Sequence, residues 1–514
     1  MALTSRRAFL KTLGFTCAAM AASGSLPLPK AAPKPRNILF ILADDLGWGD
    51  VSCYGQTPGL TPFIDTYARR GVVFTDAHSP AATCTPTRYA IFTGGYAWRK
   101  PGTGIAQGDA ALLIDPRLET LPKLMQRSGM VTGAVGKWHL GMGLGPGKTD
   151  WNQPISPSAN AIGFDYTFLM AATADRTPCV YVEDGKVVNL DPNDPISVNY
   201  RQNYPGEPDG VRDRASLKMD WDHGHNQAVV NGIGRIGYMK GGEKARWKDE
   251  EMADIFVEKA CEFMEKNRDK PFFLYLGTND IHVPRVPHPR FEGATPFGPR
   301  GDATRQFDDS VRRVIGKLQA LGLANETLVV ISSDNGPVVN DGYKDQAVEK
   351  LGSHQPAAHW RGTKYTPFEG GHRVPFIAVW EGQIPAGKRS GALLSLVDLG
   401  HTFAALRGVT PSADALPDSF DVHEALLNPA AASPRTAIIS QDWYMSYREG
   451  DWKYIVPRRA GNAPTAQTNP LNGALYNLAE DPSETQNRMG DYPEKARALH
   501  QKLLKAIGDG RTRP

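Results

Sequence analysis

Apolar runs separated by polar stretches are the main pattern along this chain of 514 residues. Residues 37–42 form a nearly unbroken apolar run, which is typical of a central strand buried on both faces of a sheet. Comparable runs predict four further strands, at residues 130–136, 272–277, 327–333 and 374–380. Polar and glycine-containing segments bound each of them. The pattern therefore predicts a largely parallel central sheet.

Helical periodicity occurs between these strands. Apolar side chains such as Val311, Val314 and Leu318 recur at helical spacing and predict a helix over residues 308–321. A similar pattern predicts another helix over residues 250–267. Strands that alternate with helices indicate an α/β fold, with helices flanking the sheet.

The stretch of residues 141–249 has a different texture. It is rich in Pro, Gly, Asn and Asp, which predicts long loops over the edge of the sheet. Long loops of this kind usually shape a binding site.

The pattern changes again after about residue 430. Short apolar segments predict antiparallel strands at residues 437–440, 443–448, 452–456 and 475–478, followed by a helix over residues 493–507. We therefore predict a large catalytic domain at residues 36–430 and a small subdomain, an antiparallel sheet with one helix, at residues 431–514.

The N-terminus has the composition of an export signal. Ser5-Arg6-Arg7-Ala8-Phe9-Leu10-Lys11 matches a twin-arginine signal, and residues 12–22 form a mildly apolar run. This run is too short and too interrupted by glycine to anchor the chain stably in a membrane. A lipoprotein signal at Cys17 is disfavoured, because the residues before it make a poor lipobox. Residues 1–31 thus predict the twin-arginine translocase as a partner and a periplasmic or secreted protein.

The net charge gives no indication of a polyanionic partner. The formal charge is +3, but four basic residues and no acidic residue precede Ala32, so the remainder carries a charge of −1. A nearly neutral chain has no general electrostatic attraction for nucleic acid or membranes. An anionic substrate must therefore be bound by a local pocket.

The pentapeptide Cys84-Thr85-Pro86-Thr87-Arg88 leads into a helix-like stretch closed by glycine. Alone, such a string is more often a buried cysteine beside a turn proline. It resembles the nucleophile segment of the type I sulfatases, which have an alkaline-phosphatase-like fold. The resemblance implies that Cys84 is oxidised to formylglycine, whose hydrate attacks a sulfate ester. Thr87 and Tyr89 depart from the commonest form of the signature, which has Ser and a small residue there.

This resemblance has consequences for maturation, because the twin-arginine route exports folded proteins. It implies that a cytoplasmic formylglycine-generating enzyme, or an anaerobic sulfatase-maturating enzyme, converts Cys84 before export.

Acidic and amide side chains follow two of the predicted strands. Asp44 and Asp45 come after residues 37–42, and Asp334 and Asn335 come after residues 327–333. Ligands of open α/β sheets bind at the carboxyl ends of strands, and hard oxygen ligands suit Ca²⁺ or Mg²⁺. A single pair would more often be a turn or helix cap. Because "ADDLGWGD" and "SDNGP" resemble the Ca²⁺ segments of sulfatases, the resemblance implies that these four residues and modified Cys84 hold Ca²⁺, with Mg²⁺ as the alternative.

Basic residues also lie near predicted strand ends. Lys137 and His139 occur in "GKWHLG", Lys364 precedes "EGGHRVP", and His282 lies in an H-x-P segment. Individually, a lysine is usually solvated and a histidine is usually structural. These phrases resemble sulfatase motifs, and the resemblance implies roles for each residue. By this resemblance, Asp334 accepts a proton from the nucleophile, and Arg88 holds the aldehyde side chain. Lys137 and Lys364 stabilise charge on the sulfuryl oxygens. His282, with Lys364, protonates the leaving alcohol, and His139 is the base for sulfate release.

The long excursion between residues 141 and 249 resembles inserts of bacterial carbohydrate sulfatases. Arg176, His223 and His225 are its candidate substrate contacts, although hydrogen bonds that stabilise the loops are an equally good interpretation. The resemblance implies exo-acting removal of O-sulfate from a sulfated sugar such as galactose or N-acetylgalactosamine.

Two other functions remain open. A phosphonate or phosphate ester hydrolase on the same fold sometimes shares the C-x-P-x-R nucleophile. A non-catalytic protein that binds sulfated glycans would require Cys84 to remain a thiol or a ligand to be missing. The "GKWHLG" and "EGGHRVP" segments favour the sulfatase.

Overall fold

The computed structural model describes residues 33–55, 57–457, 464–465 and 467–514. The predicted export signal at residues 1–31 lies outside this range. The strands are β1 (Asn37–Ala43), β2 (Val72–Phe74), β3 (Ala77–His78), β4 (Val131–Lys137), β5 (Tyr166–Met170), β6 (Tyr181–Glu183), β7 (Lys186–Val187), β8 (Ser197–Asn199), β9 (Val229–Val230), β10 (Ile233–Gly234), β11 (Tyr238–Lys240), β12 (Phe272–Gly277), β13 (Thr327–Ser333), β14 (Phe376–Val379), β15 (Lys388–Ser390), β16 (Leu394–Ser395), β17 (Ala437–Gln441), β18 (Met445–Glu449), β19 (Trp452–Ile455) and β20 (Ala474–Asn477). The α-helices are α1 (Pro62–Ala68), α2 (Cys84–Thr93), α3 (Leu121–Arg127), α4 (Met252–Lys266), α5 (Gly298–Ala320), α6 (Glu369–His372), α7 (Leu399–Arg407), α8 (His423–Leu427) and α9 (Pro493–Gly508).

A ten-stranded sheet organises the molecule, in the order β15-β2-β14-β13-β1-β12-β4-β5-β6-β7. Its middle strands, in the order β13-β1-β12-β4-β5, are parallel to one another. The pairs on either side of them, β13-β14 and β5-β6, are antiparallel. Every residue of β1 is buried, as its continuous apolar sequence predicts for a strand covered on both faces. The predicted α/β fold with a mostly parallel sheet is confirmed.

Helices cover both faces of this sheet. Phe272 and Phe273 are neighbours in β12, so their side chains point to opposite faces. Phe272 contacts Phe263 of α4, with ring centroids 6.0 Å apart. Phe273 contacts Phe403 of α7, with centroids 6.2 Å apart. These two contacts place α4 and α7 on opposite sides of the sheet.

Three elements differ from the sequence expectations. The fifth predicted strand is shorter, because β14 starts after Pro375, which has no N–H for a ladder. Helix α5 begins at Gly298, ten residues before the predicted start at Asp308. Pro299 does not prevent this early start, because proline is tolerated in the first turn of a helix. The stretch of residues 141–249 is not only loop, because β5, β6 and β7 extend the main sheet there.

The C-terminal region forms a separate four-stranded antiparallel sheet, β17-β18-β19-β20, followed by α9. The predicted strands and helix are confirmed to within a few residues. Within the described ranges, no helix is both long and apolar enough to cross a membrane.

A buried ionic cluster joins this sheet to the main body. Lys453 of β19 is fully buried and its ammonium lies 3.0 Å from both Glu369 and Glu484. It also lies 3.1 Å from the Nε2 atom of His372. Although burial alone would raise it, Lys453 and Arg373 hold the pKa of Glu369 well below its usual value. The two carboxylates thus depend on Lys453 for compensation.

We expect Lys453→Ala to lower the free energy of unfolding by about 3–5 kcal/mol, because it leaves two buried carboxylates without their shared cation. Urea unfolding followed by circular dichroism measures this. The matched control is Lys502→Ala, which removes a half-exposed ammonium paired with Glu449 and should cost less than about 1 kcal/mol. Equal effects of the two substitutions would contradict the compensating role of Lys453.

Candidate active site

Cys84 begins helix α2 at the floor of the site. Thr83 before it is extended, and Gly94 closes the helix in the left-handed region, with φ 62°. The thiol of Cys84 is buried and lies 3.2 Å from Nδ1 of His139. Burial raises the pKa of this thiol. The other ring nitrogen of His139 lies 2.9 Å from the carbonyl oxygen of Ala106. Since a carbonyl only accepts, Nε2 carries the proton and Nδ1 offers its lone pair to Cys84.

The four oxygen-bearing residues predicted to bind metal meet at one end of the sheet. β1 and β13 are adjacent and parallel, and Ala43 is in register with Ser333. The residues that follow these two positions therefore emerge side by side. They are all fully buried, and they are Asp44, Asp45, Asp334 and Asn335. The amide nitrogen of Asn335 donates to Asp45 over 2.7 Å.

The donor set fits a hard cation. Oδ1 of Asp44 and Oδ1 of Asn335 are shielded from solvent and accept no hydrogen bond from any described residue. Burial is the main reason that the pKa of Asp44 is raised, and the carboxyls of Asp334 and Asp45 add to it. Unpaired buried oxygens next to repelling carboxylates are the arrangement that a divalent ion stabilises. His282 lies close enough to Asp44 and Asp45 to be a further ligand.

Two basic side chains, those of Lys137 and Arg88, contact these carboxylates. Lys137 pairs with Asp44, and its ammonium lies 3.8 Å from Asp334. The guanidinium of Arg88 donates to Oδ2 of Asp334 through two nitrogens, over 2.9 and 2.7 Å. Arg88 also donates to the carbonyl oxygen of Lys137 and to the hydroxyl of Tyr275. Arg88 therefore orients Asp334, and its partners among the residues that the structure describes do not include Cys84.

Lys364 bridges two acidic residues at the opposite side of the cluster. Its ammonium lies 2.9 Å from Asp45 and 2.9 Å from Asp341. Tyr365 also donates its hydroxyl to Asp341, over 3.2 Å. All of Lys364 and most of Asp341 are removed from solvent. The site thus keeps a buried cation that has two anionic partners.

His282 faces the cluster from the loop after β12. Its Nδ1 lies 2.7 Å from the carbonyl oxygen of Val283, and its Nε2 lies 3.8 Å from Asp45. Burial, then the charges of Lys364 and Lys137, lower the pKa of His282 well below its usual value. Its neutral form therefore has a proton on Nδ1 and a lone pair on Nε2.

Of the three candidate substrate contacts, two lie together and one lies apart. Arg176 donates to Asp175 over 2.9 Å, and Nε2 of His225 lies 2.9 Å from the same carboxyl group. The charge of Arg176 also contributes to the lowered pKa of His139, after burial and Lys137. His223 is exposed and contacts Asp222 instead. The structure therefore brings Arg176 and His225, but not His223, together near the site.

Sequence reasoning missed several residues of this site, namely Asp175, Tyr275, Asp341 and Tyr365. Tyr275 belongs to a strand and reads as core in the sequence. Asp341 lies in a loop without a recognisable pattern, seven residues after Asp334. Asp175 and Tyr365 adjoin predicted residues, and this adjacency was the only signal for them.

Comparisons with known proteins identify the family. The sulfatase family pattern matches residues 36–409. An N-acetylgalactosamine-6-O-sulfatase from Bacteroides thetaiotaomicron is 45% identical over 481 residues, which span 92% of this chain and 93% of the relative. The human N-acetylgalactosamine-6-sulfatase is 30% identical over 407 residues, which span 77% of this chain and 66% of the relative.

Solved structures show the same fold over nearly the whole chain. One comes from a study of glycosaminoglycan metabolism by Bacteroides thetaiotaomicron. It has a TM-score of 0.88 and 44% identity, and the match covers 93% of this chain and 100% of that chain. A sulfatase from Pseudoalteromonas has a TM-score of 0.65 and 26% identity, with 93% and 90% covered. The chain therefore belongs to the sulfatase family of sulfate ester hydrolases.

Proposed function

We propose that this protein is a carbohydrate sulfatase that removes the 6-O-sulfate from N-acetylgalactosamine at the end of a glycan chain. The observation that carries the proposal is the 45% identity to the Bacteroides N-acetylgalactosamine-6-O-sulfatase, which extends over more than nine-tenths of both chains. It refines the sequence expectation of a galactose or N-acetylgalactosamine substrate.

We further propose that Asp44, Asp45, Asp334 and Asn335 hold Ca²⁺, together with formylglycine derived from Cys84. The unpaired buried oxygens of Asp44 and Asn335 support this assignment. Bound Ca²⁺ would polarise the sulfate ester and offset its negative charge. The hydrated aldehyde would supply the attacking oxygen.

The basic residues bind and orient the sulfate group. Lys137 and Lys364 each carry an ammonium at the edge of the carboxylate cluster, where charge develops on the sulfuryl oxygens. Arg88 holds Asp334 through two hydrogen bonds, which fixes the carboxylate that accepts the proton of the nucleophile. The first turn of α2 adds backbone N–H groups that favour an anion beside residue 84.

The two histidines transfer protons in different steps of the reaction. His139 directs the lone pair of Nδ1 at residue 84, so it is placed to take a proton there when sulfate is released. His282 is neutral in the substrate-free protein because burial and two lysines lower its pKa. A bound sulfate anion offsets these lysine charges, raises the pKa of His282, and lets Nε2 donate to the leaving alcohol.

Arg176 and His225 are our candidates for contacts with the sugar, because Asp175 orients both beside the site. His223 is exposed and would contact only a larger substrate that extends beyond the pocket. We retain the sequence predictions of domains at residues 36–430 and 431–514. We likewise retain maturation of Cys84 in the cytoplasm and twin-arginine export to the periplasm or medium.

Sulfate release from paired substrates tests the reaction and the sugar. The matured protein should cleave N-acetylgalactosamine-6-sulfate at least about 100-fold faster, as kcat/KM, than the 4-sulfate, because differential binding of about 3 kcal/mol is typical of a site built for one arrangement of polar groups. Ion chromatography measures the sulfate. Galactose-6-sulfate and N-acetylglucosamine-6-sulfate test how strictly the enzyme selects the sugar that carries the 6-sulfate. A phosphate monoester tests the phosphatase alternative. Cys84→Ala is the inactive control, and mass spectrometry of the peptide that contains residue 84 confirms maturation.

Calcium should stabilise the folded protein through the carboxylate cluster. At a free concentration 100 times Kd, binding adds about 2.7 kcal/mol to the free energy of unfolding, seen as a rise in Tm over protein treated with chelator. Asp44→Ala and Asn335→Ala should abolish most of this rise, because each removes a buried oxygen that lacks another partner. Asp222→Ala, at an exposed carboxylate, should keep it. A rise that survives in both site variants would place calcium elsewhere.

A further inference from the structure

The turn that joins β17 to β18, residues 441–444, lies beside the segment that leads to the nucleophile. The amide of Ala82 donates to the carbonyl oxygen of Gln441 over 2.9 Å, and the amide of Gln441 donates to Pro80 over 3.1 Å. Gln441 thereby pairs with Ala81, three residues before Cys84. Given the spacing of Cα atoms along a chain and between paired strands, Gln441 lies no more than about 16 Å from Cys84. A glycan bound at Cys84 can reach this turn.

Trp443 exposes an unusually large apolar surface at this place. Its side chain is 63% exposed. Among the aromatic side chains of the described ranges, Tyr492 is the other exposed one, at 43%. It meets the ring of Trp452 edge-on near the far end of β18. An indole ring gains little by facing water, whereas it contributes strongly when it packs against the C–H face of a ligand. Its position next to the nucleophile segment indicates a ligand that also reaches Cys84.

Two side-chain oxygens beside Trp443 have no hydrogen-bond donor among the described residues. Oε1 of Gln441 and Oδ2 of Asp442 are shielded from solvent, and neither accepts a hydrogen bond from any described residue. A buried acceptor without a donor costs about 1–3 kcal/mol. The hydroxyl groups of a sugar are donors that would satisfy both oxygens once the partly exposed side chains of Gln441 and Asp442 turn toward the ligand.

The charge state of Asp442 is compatible with an anionic ligand. Burial raises its pKa to about 8, and a hydrogen bond from the backbone of Trp443 only partly offsets this. Below that pH the carboxyl is largely uncharged, so it does not repel a nearby sulfate group. A neutral carboxyl also both donates and accepts hydrogen bonds, as sugar hydroxyls require.

From these observations we infer that residues 441–444 form a sugar-binding subsite, in which Trp443 stacks on a pyranose ring while Gln441 and Asp442 bind its hydroxyls. The inference rests on the proposed function and deepens it, because it assigns the ring of the glycan, as distinct from its sulfate, to the C-terminal region. The ring is either the sulfated sugar or the unit joined to it, and the two have the same chemistry.

Trp443→Ala in the matured enzyme is the first test. We expect KM for sulfated glycans to rise about tenfold, the loss typical of one stacked ring, with kcat changed less than about twofold. Trp443→Phe should recover most of the affinity, and Asp442→Ala should weaken it by removing a group that binds hydroxyls. The inhibition constant for inorganic sulfate should stay unchanged, because sulfate alone does not reach the turn. Tyr492→Ala is the matched control for loss of an exposed aromatic ring.

Comparing N-acetylgalactosamine-6-sulfate with a disaccharide that ends in it identifies the ring. If Trp443→Ala raises KM for both substrates, the sulfated sugar stacks on Trp443. If it raises KM for the disaccharide alone, the neighbouring sugar unit stacks there. The inference would be overturned if the wild type cleaves both substrates and Trp443→Ala leaves KM unchanged for each of them.

Binding to the inactive Cys84→Ala protein separates this inference from the proposed function. Calorimetry should show that the disaccharide binds about tenfold more weakly when Trp443→Ala is added. If the wild type cleaves no sulfate ester but this loss occurs, the subsite stands and the proposed activity fails. If cleavage occurs and Trp443→Ala leaves binding unchanged, the activity stands and the subsite fails. If the protein neither cleaves nor binds the sugars, both are wrong.

Discussion

The structure depends on the burial of three carboxylates, Asp44, Asp45 and Asp334, at the end of two adjacent parallel strands. Like charges in an interior repel strongly, and each also loses its hydration, so the arrangement persists only with matching positive charge. Lys137 and Lys364 supply part of that charge from separate segments of the chain. Arg88 supplies a further part from helix α2. The sheet order thus fixes where the anions lie, and the cations fix how the surrounding loops fold.

The same charges set the proton chemistry of the site. Burial and nearby cations lower the pKa of His139 and that of His282, which keeps both rings neutral in the substrate-free protein. Each ring then donates one proton to a backbone carbonyl, so its remaining nitrogen is an acceptor. For His139 that nitrogen faces Cys84. The charges that compensate the carboxylates therefore also keep two imidazole rings neutral, each with one nitrogen free to accept a proton.

The sequence was most informative where a residue follows a continuous apolar strand. The bounds predicted for the strands at 272–277 and 327–333 are those observed, and the predicted acidic residues converge after β1 and β13 because parallel neighbours end together. Contacts made across loops carry no such signal. Asp341 is far from any periodic pattern, and only the fold brings it to Lys364. Tyr275 lies between two leucines in a buried strand, so nothing in the sequence distinguishes it from an ordinary core residue.

The division between reaction and recognition follows from this geometry. The groups that we propose to act on sulfate lie at the ends of central strands, where backbone pairing leaves little freedom, so short motifs identify them. Groups suited to a sugar ring lie on either side, with Arg176 in the excursion after β5 and Trp443 on the turn of the C-terminal sheet. Such turns tolerate substitution without disturbing the carboxylate cluster. The buried ionic cluster around Lys453 holds the C-terminal sheet against the main body, which keeps this turn in a fixed position beside the segment that precedes Cys84.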